Sequence, residues 1–167
     1  MTISSTNRAT ADVDAARALH PASSSRIDRP LSGEALEYIA LGLAQVVGAA
    51  DGTLRRGEVR RTKVLATAVY DAWVVELGPQ TAIEPHDHEG SIGVVAVTYG
   101  RLVEFAVDDV GERRSRLRQL VVGDHTTFGA THRHSLVNPE LRATTTVQVF
   151  SPPLGDEVTG RAGTPGS

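Results

Sequence analysis

The sequence contains no cysteine, which removes disulfides, thiolate metal ligands and cysteine nucleophiles together. Any metal must therefore sit on histidine, aspartate or glutamate. Lysine occurs once, at Lys63, and the arginines are interspersed with acidic residues to give a net charge of -3. No basic stripe forms, so nucleic acid is not an expected partner. No apolar run approaches the roughly 18 residues that a bilayer-spanning helix needs. Met1 to Thr10 is polar and has no apolar signal core. The expectation is a cytoplasmic protein with no membrane partner. What is present is 167 residues of ordinary globular composition, one domain's worth and enough to bury a core.

Residues 1–29 are rich in Ser, Ala, Arg and Asp, with a brief helical hint from Val13 to Leu19. This composition predicts a frayed arm ahead of a single domain over 30–155, and the Gly, Pro and Thr of 156–167 predict a disordered tail. Ser32 can cap a helix with Glu34 in its first turn, and Leu36, Ile39, Ala40, Leu43, Val46 and Val47 keep helical spacing up to Gly48. The charged stretch Asp51 to Arg61 reads as a loop or irregular helix. From Tyr70 onward the texture changes to β-branched segments: Ala72 to Leu77, Ile92 to Tyr99, Arg101 to Val107, Leu117 to Val122 and Thr144 to Phe150. Turn residues at Gly78-Pro79, Tyr99-Gly100, Asp108 to Gly111 and Gly123-Asp124 make consecutive strands antiparallel neighbours in a barrel or jelly roll. The expected fold is mainly β, with an α-helical segment at its N-terminal end.

Histidines carry the chemical signal. His86 and His88 are two apart, so on a strand both imidazoles lie on one face with Asp87 on the other. His132 and His134 repeat that spacing and compete for the place of a third ligand, while His125 reads as an outer or surface group and His20 falls in the arm.

The pattern from 86 to 138 resembles the two motifs of the cupins. The first of these is His-x-His, then a Glu, then after six residues a Gly. Here the Glu slot falls on Gly93 and the closing glycine is Gly100. The second, Gly, ten residues, His, three residues, Asn, is matched by Gly123, His134 and Asn138, with Gly129 and Thr131 at inner positions where cupins usually carry Pro and Gly. The resemblance implies a cupin (jelly-roll) β-barrel with His86, His88 and His134 on one divalent metal, and it selects His134 over His132 through Asn138. Without a carboxylate at position 93, three neutral imidazoles leave the +2 charge unbalanced, so an anion should join them.

Within the cupins, the segment from about Arg60 to Leu154, a little over half of the chain, is similar to the bacterial thiol dioxygenases, the cysteine dioxygenase family with its 3-mercaptopropionate-oxidising branch. The likeness rests on Gly78-Pro79, Pro85-His86-Asp87-His88, Gly100 to Glu104, His134 with Val137-Asn138, and Phe150-Ser151-Pro152-Pro153. It implies iron(II) and dioxygen as co-substrate; the alternative is a cupin metal site that uses nickel or manganese for a different oxygenation or lyase step. It also implies a small thiol substrate such as cysteine or 3-mercaptopropionate, and a monomer or homodimer. Family members hold the substrate carboxylate with an arginine before the first barrel strand, which falls here on Arg60, the favoured position, or Arg61. The family's Ser, His and Tyr on the last strand are replaced by Thr146, Gln148 and Phe150. Phe150 has no hydroxyl and Gln148 does not titrate as histidine does, so these positions point to another thiol or to a product beyond the sulfinate. With Gly93 and Phe150 at its two ends, the family's cysteine-tyrosine crosslink cannot form.

Overall fold

The computed structural model describes residues 29–49, 53–107 and 116–154. The predicted arm, its helical hint, the C-terminal tail and the turn from Asp108 to Gly111 lie outside the described residues. Among the described residues one helix precedes nine strands. Helix α1 is Gly33–Ala44, and the strands are β1 Val59–Ala66, β2 Asp71–Leu77, β3 Thr81–His86, β4 Ile92–Tyr99, β5 Arg101–Val107, β6 Arg116–Val121, β7 His125–Phe128, β8 Arg133–Asn138 and β9 Thr144–Ser151. They form two antiparallel sheets, a five-stranded one in the order β1-β2-β9-β4-β7 and a four-stranded one in the order β3-β8-β5-β6. This is the expected mainly β jelly roll with one N-terminal helix.

Side-chain chemistry dictates the layers. Ser32 caps α1 by accepting a hydrogen bond from the Ala35 amide, satisfying one of the donors a helix start leaves open. The helix then buries Leu36 and Ala40 against Ala72, Val94, Ala96, Val147 and Val149 on the outer face of the five-stranded sheet. The opposite face of the same strands supplies Trp73, Val75, Leu77, Val95, Val97 and Phe150 to a second core between the sheets, completed by Leu102, Leu120, Phe128 and Leu136. Covered on both faces, β9 is buried at every position, including the polar Thr146 and Gln148. Gly100 closes the β4–β5 turn at a φ of 76°, and a Cβ there would meet Thr144 Oγ1 at 2.7 Å. Glycine is required on both counts.

Two sequence expectations are corrected. Arg60 and Arg61 lie on a strand, β1, rather than in a loop or irregular helix. β1 pairs with β2 as an edge strand, with Val59 opposite Leu77 and Arg61 opposite Val75. Its charged residues Arg60, Arg61 and Lys63 hide the alternation. Consecutive strands are neighbours only at β1–β2 and β5–β6; the other pairs are β2–β9, β3–β8, β4–β7, β4–β9 and β5–β8. The chain crosses between sheets, and this winding brings β3 beside β8. No helix among the described residues is long and apolar enough to cross a membrane.

Candidate metal centre

Pro85 sits where the β3–β8 register shifts between Ile83 and His86, a place for a residue that cannot donate to a ladder. Beyond the shift His86 pairs directly with His134 of β8, so both rings enter the barrel from the same sheet. His88 is not on the strand as expected. β3 ends at His86, and His88 lies in the turn that follows, held by a hydrogen bond from the Ser91 amide to the His88 carbonyl at 2.9 Å. A turn brings its ring to the same point that strand alternation was expected to reach.

The ring centroids form a nearly equilateral triangle: 5.0 Å for His86 and His88, 4.9 Å for His86 and His134, and 5.0 Å for His88 and His134. One nitrogen from each ring lies within 4.8 Å of the others. An ion about 2.0–2.1 Å from each nitrogen, with angles between square and tetrahedral, would set centroids roughly 4.5–5.2 Å apart. The triangle fits. His134 Nε2 and His88 Nδ1 are moreover buried without a hydrogen-bond partner in the protein, which costs about 1–3 kcal/mol each unless something binds there. His86 donates from Nδ1 to the Glu84 carbonyl at 2.8 Å, leaving Nε2 as its ligand atom. The three histidines can hold a divalent metal ion.

Aromatic walls shape the site. His88 stacks against Phe128 at 4.6 Å and against Phe150 at 5.0 Å. Gly93 lies beside both: a Cβ on it would meet the Phe128 ring at 2.5 Å and the Phe150 ring at 2.9 Å, so no carboxylate can reach the ion from position 93. Burial pushes the His88 imidazole down to about 3, helped by the neighbouring imidazoles, and burial also lowers His86. Both rings stay neutral at physiological pH, as metal ligands must.

A pH dependence follows. At and above pH 6.5, the ordinary imidazole value, the lowered rings cost nothing. Below it the unfolded chain takes up protons that the folded His88 refuses, so stability falls as pH falls from 6.5 toward 3. By pH 4.5 this amounts to about 3 kcal/mol at 1.36 kcal/mol per unit. The melting temperature of the metal-free protein should be level above pH 7 and fall steadily between 6.5 and 4.5. A level or rising melting temperature over that interval in calorimetry would contradict the buried neutral site.

The other sequence candidates are placed as follows. Arg61 shares the inward face of Val75, is itself lowered by burial, and lowers His86 through its charge. Arg60, the favoured position, faces the other way, with Nη1 3.4 Å from Glu76 Oε2 and Nη2 3.0 Å from Thr53. Thr146 donates to the Val75 carbonyl at 3.1 Å and accepts from Gln148 Nε2 at 3.2 Å. The His132 ring lies 4.9 Å from that of His134 and forms a second group of nearby ligand atoms with His134 and Glu104, and His125 bonds to Glu37 of α1 at 2.9 Å. Glu104 is the residue the sequence reading passed over: its Oε1 accepts from His134 Nδ1 at 2.7 Å and from His132 Nε2 at 2.9 Å. Burial pushes its carboxyl up, but these two hydrogen bonds, together with the charge interaction of the same two imidazoles, outweigh burial and hold it down at about 2. A charged residue at the inward phase of β5, between Leu102 and Ala106, was the available signal.

No protein-family model and no curated protein matches the sequence. Solved structures do. KdgF from a Halomonas species superposes with a TM-score of 0.53 at 21% identity, over 65% of this chain and 91% of its own. The cupin domain of Cnp3 from Schizosaccharomyces pombe gives 0.50 at 10% identity, over 63% and 68%. Oxalate oxidase in complex with the substrate analogue glycolate gives 0.52 at 17% identity, over 61% and 54%. At such identities the likeness is one of fold, and the fold is that of the cupins, a double-stranded β-helix. The chain thus has a cupin-like fold, and its ring triangle can hold a metal ion.

Proposed function

We propose that this cupin is a non-haem iron(II) thiol dioxygenase acting on cysteine or a related small thiol carboxylate. The observation that carries the reading is the convergence of His86, His88 and His134 between the sheets, with the guanidinium of Arg61 on the same interior. Three neutral imidazoles favour an anionic substrate, and the guanidinium supplies a second anchor for one that bears a carboxylate. Bound iron(II) would supply the redox chemistry that joins dioxygen to sulfur.

The protein's own task is to position and exclude. Arg61 takes the carboxylate, so the sulfur is presented to the imidazole triangle. Phe128 and Phe150 keep water from the His88 side, and Gln148, steadied by Thr146, offers an amide where a titrating group would otherwise stand. A thiolate and one dioxygen give a sulfinate: both oxygen atoms end on sulfur, which loses the four electrons that dioxygen gains, and no external reductant is needed. The altered β9 positions favour a more oxidised, sulfonate-type product in a specialised biosynthetic pathway as an extension of this chemistry, one that takes an oxygen atom from a second dioxygen while the other leaves as water with two electrons from an external reductant. They equally favour a second reading, a cupin that binds a small anion without turning it over. Nickel or manganese in the same ring set would give a third.

Oxygen-electrode screening of iron-loaded protein against a panel of small thiols, with mass spectrometry of the products, separates these readings. Oxygen uptake with a product heavier by two oxygen atoms is expected; no uptake with any thiol would leave the anion-binding reading. Arg61→Met should weaken binding of the active thiol carboxylate by roughly 10–100-fold, the loss of one charge-assisted pair at about 1.5–3 kcal/mol. Arg60→Gln should change it less than about threefold, as for a substitution away from the site. Equal effects in steady-state KM would remove the assignment to Arg61.

A further inference from the structure

Glu104 is 3% exposed on β5, and one of its oxygens carries both imidazole contacts, His134 Nδ1 at 2.7 Å and His132 Nε2 at 2.9 Å. Its other oxygen faces Arg118 at 4.0 Å, and Arg118 also reaches Thr126. His134 is 0% exposed, and its remaining nitrogen, Nε2, is buried without a protein partner. A carboxylate accepting at Nδ1 keeps the proton there and leaves the lone pair on Nε2, the nitrogen available to meet those of His86 and His88. The same hydrogen bond makes the ring a stronger donor to a cation. Position 93 cannot contribute charge, because Phe128 and Phe150 leave no room for a Cβ.

We propose that Glu104 is a positioning residue of the metal centre. It fixes His134 in the Nδ1–H form and lends, through that imidazole, negative charge that no side chain at position 93 can supply. His132 donates to the same oxygen and so steadies the carboxylate. Arg118, 4.0 Å from the second oxygen, adds a favourable positive charge without a hydrogen bond. The inference rests on the metal centre alone, and the fate of the thiol reaction does not bear on it.

Two measurements test it. In wild-type metal-free protein, ring nitrogen shifts from long-range proton–nitrogen spectra should show His134 protonated at Nδ1, and in E104Q they should move toward a mixture of tautomers. In metal competition with a chromophoric chelator, wild type should bind one cobalt(II) per chain. Glu104→Gln should lose about 10–100-fold in affinity and change the visible cobalt spectrum, and His132→Asn should lose less, since His134 keeps its acceptor. Wild-type His134 protonated at Nε2 overturns the proposal, and that reading needs no variant. So does a folded E104Q with wild-type affinity, an equal loss in H132N, or two ions per chain with Glu104 as a direct ligand. A wild-type chain that binds no divalent ion would instead remove the metal centre itself.

Discussion

Replacing His86 by alanine should abolish useful metal binding while leaving the fold intact. His86 is the least buried of the three rings, and its bond to the protein is the one from Nδ1 to the Glu84 carbonyl next to it. Little packing is lost with it. Four-ligand structural zinc sites bind with roughly 10–16 kcal/mol, so each ligand is worth about 3–4 kcal/mol, and affinity should fall by about 100–1,000-fold. Chelator competition with cobalt(II) or zinc(II) reads the loss, and circular dichroism melts of the metal-free variant should stay within about 2 °C of wild type, the scale of a substitution within ±0.5 kcal/mol. His134→Ala should lose metal equally but also melt early, because it strips the buried Glu104 carboxylate of a hydrogen bond. An H86A protein that retained wild-type affinity would show that the ion sits elsewhere, with Glu104, His132 and His134 as the other group of nearby ligand atoms.

Asn138→Ala should be the most damaging substitution to stability outside the ring cluster. Asn138 is fully buried at the end of β8. Its Nδ2 reaches the carbonyls of Leu77, Gly78 and Arg142 at 3.2, 2.8 and 2.7 Å, and its Oδ1 accepts from the Glu140 amide at 3.0 Å. One side chain thus ties the end of β2 to the turn between β8 and β9. Alanine would strand buried carbonyls at about 1–3 kcal/mol each and leave a small cavity, for a total of about 3–5 kcal/mol. At about 2–4 °C per kcal/mol for a chain of this size, the melting temperature should drop on the order of 10 °C. A drop under about 3 °C would mean that the backbone finds other partners. The motif asparagine is therefore explained as a fastener of the scaffold behind His134.

Much of the scaffold was legible because its strands carry strong local patterns. Ile92–Tyr99 and Arg101–Val107 are β-branched runs separated by a glycine that the turn requires, and both match the observed bounds. The helix was legible from its Ser32 cap and the spacing of Leu36 and Ala40, although it stops at Ala44, short of the expected Gly48. β1 was missed because an edge strand bearing Arg60, Arg61 and Lys63 has no apolar alternation to read. β7 is four residues long, too short for any periodicity to stand out.

The histidine spacing and the motif glycines and asparagine pointed from the sequence alone to a cupin, because those residues are set by local needs: a turn, a close approach, a ligand type. Which arginine faces the interior was not decidable that way, since a shift of one residue along a strand reverses its face, and only the pairing of Arg61 with Val75 fixes the phase. Likewise the meeting of His86 with His134, and of Glu104 with both His132 and His134, depends on β8 lying between β3 and β5. That neighbourhood arises from long-range strand pairing, which leaves no mark on the residues close by in the chain.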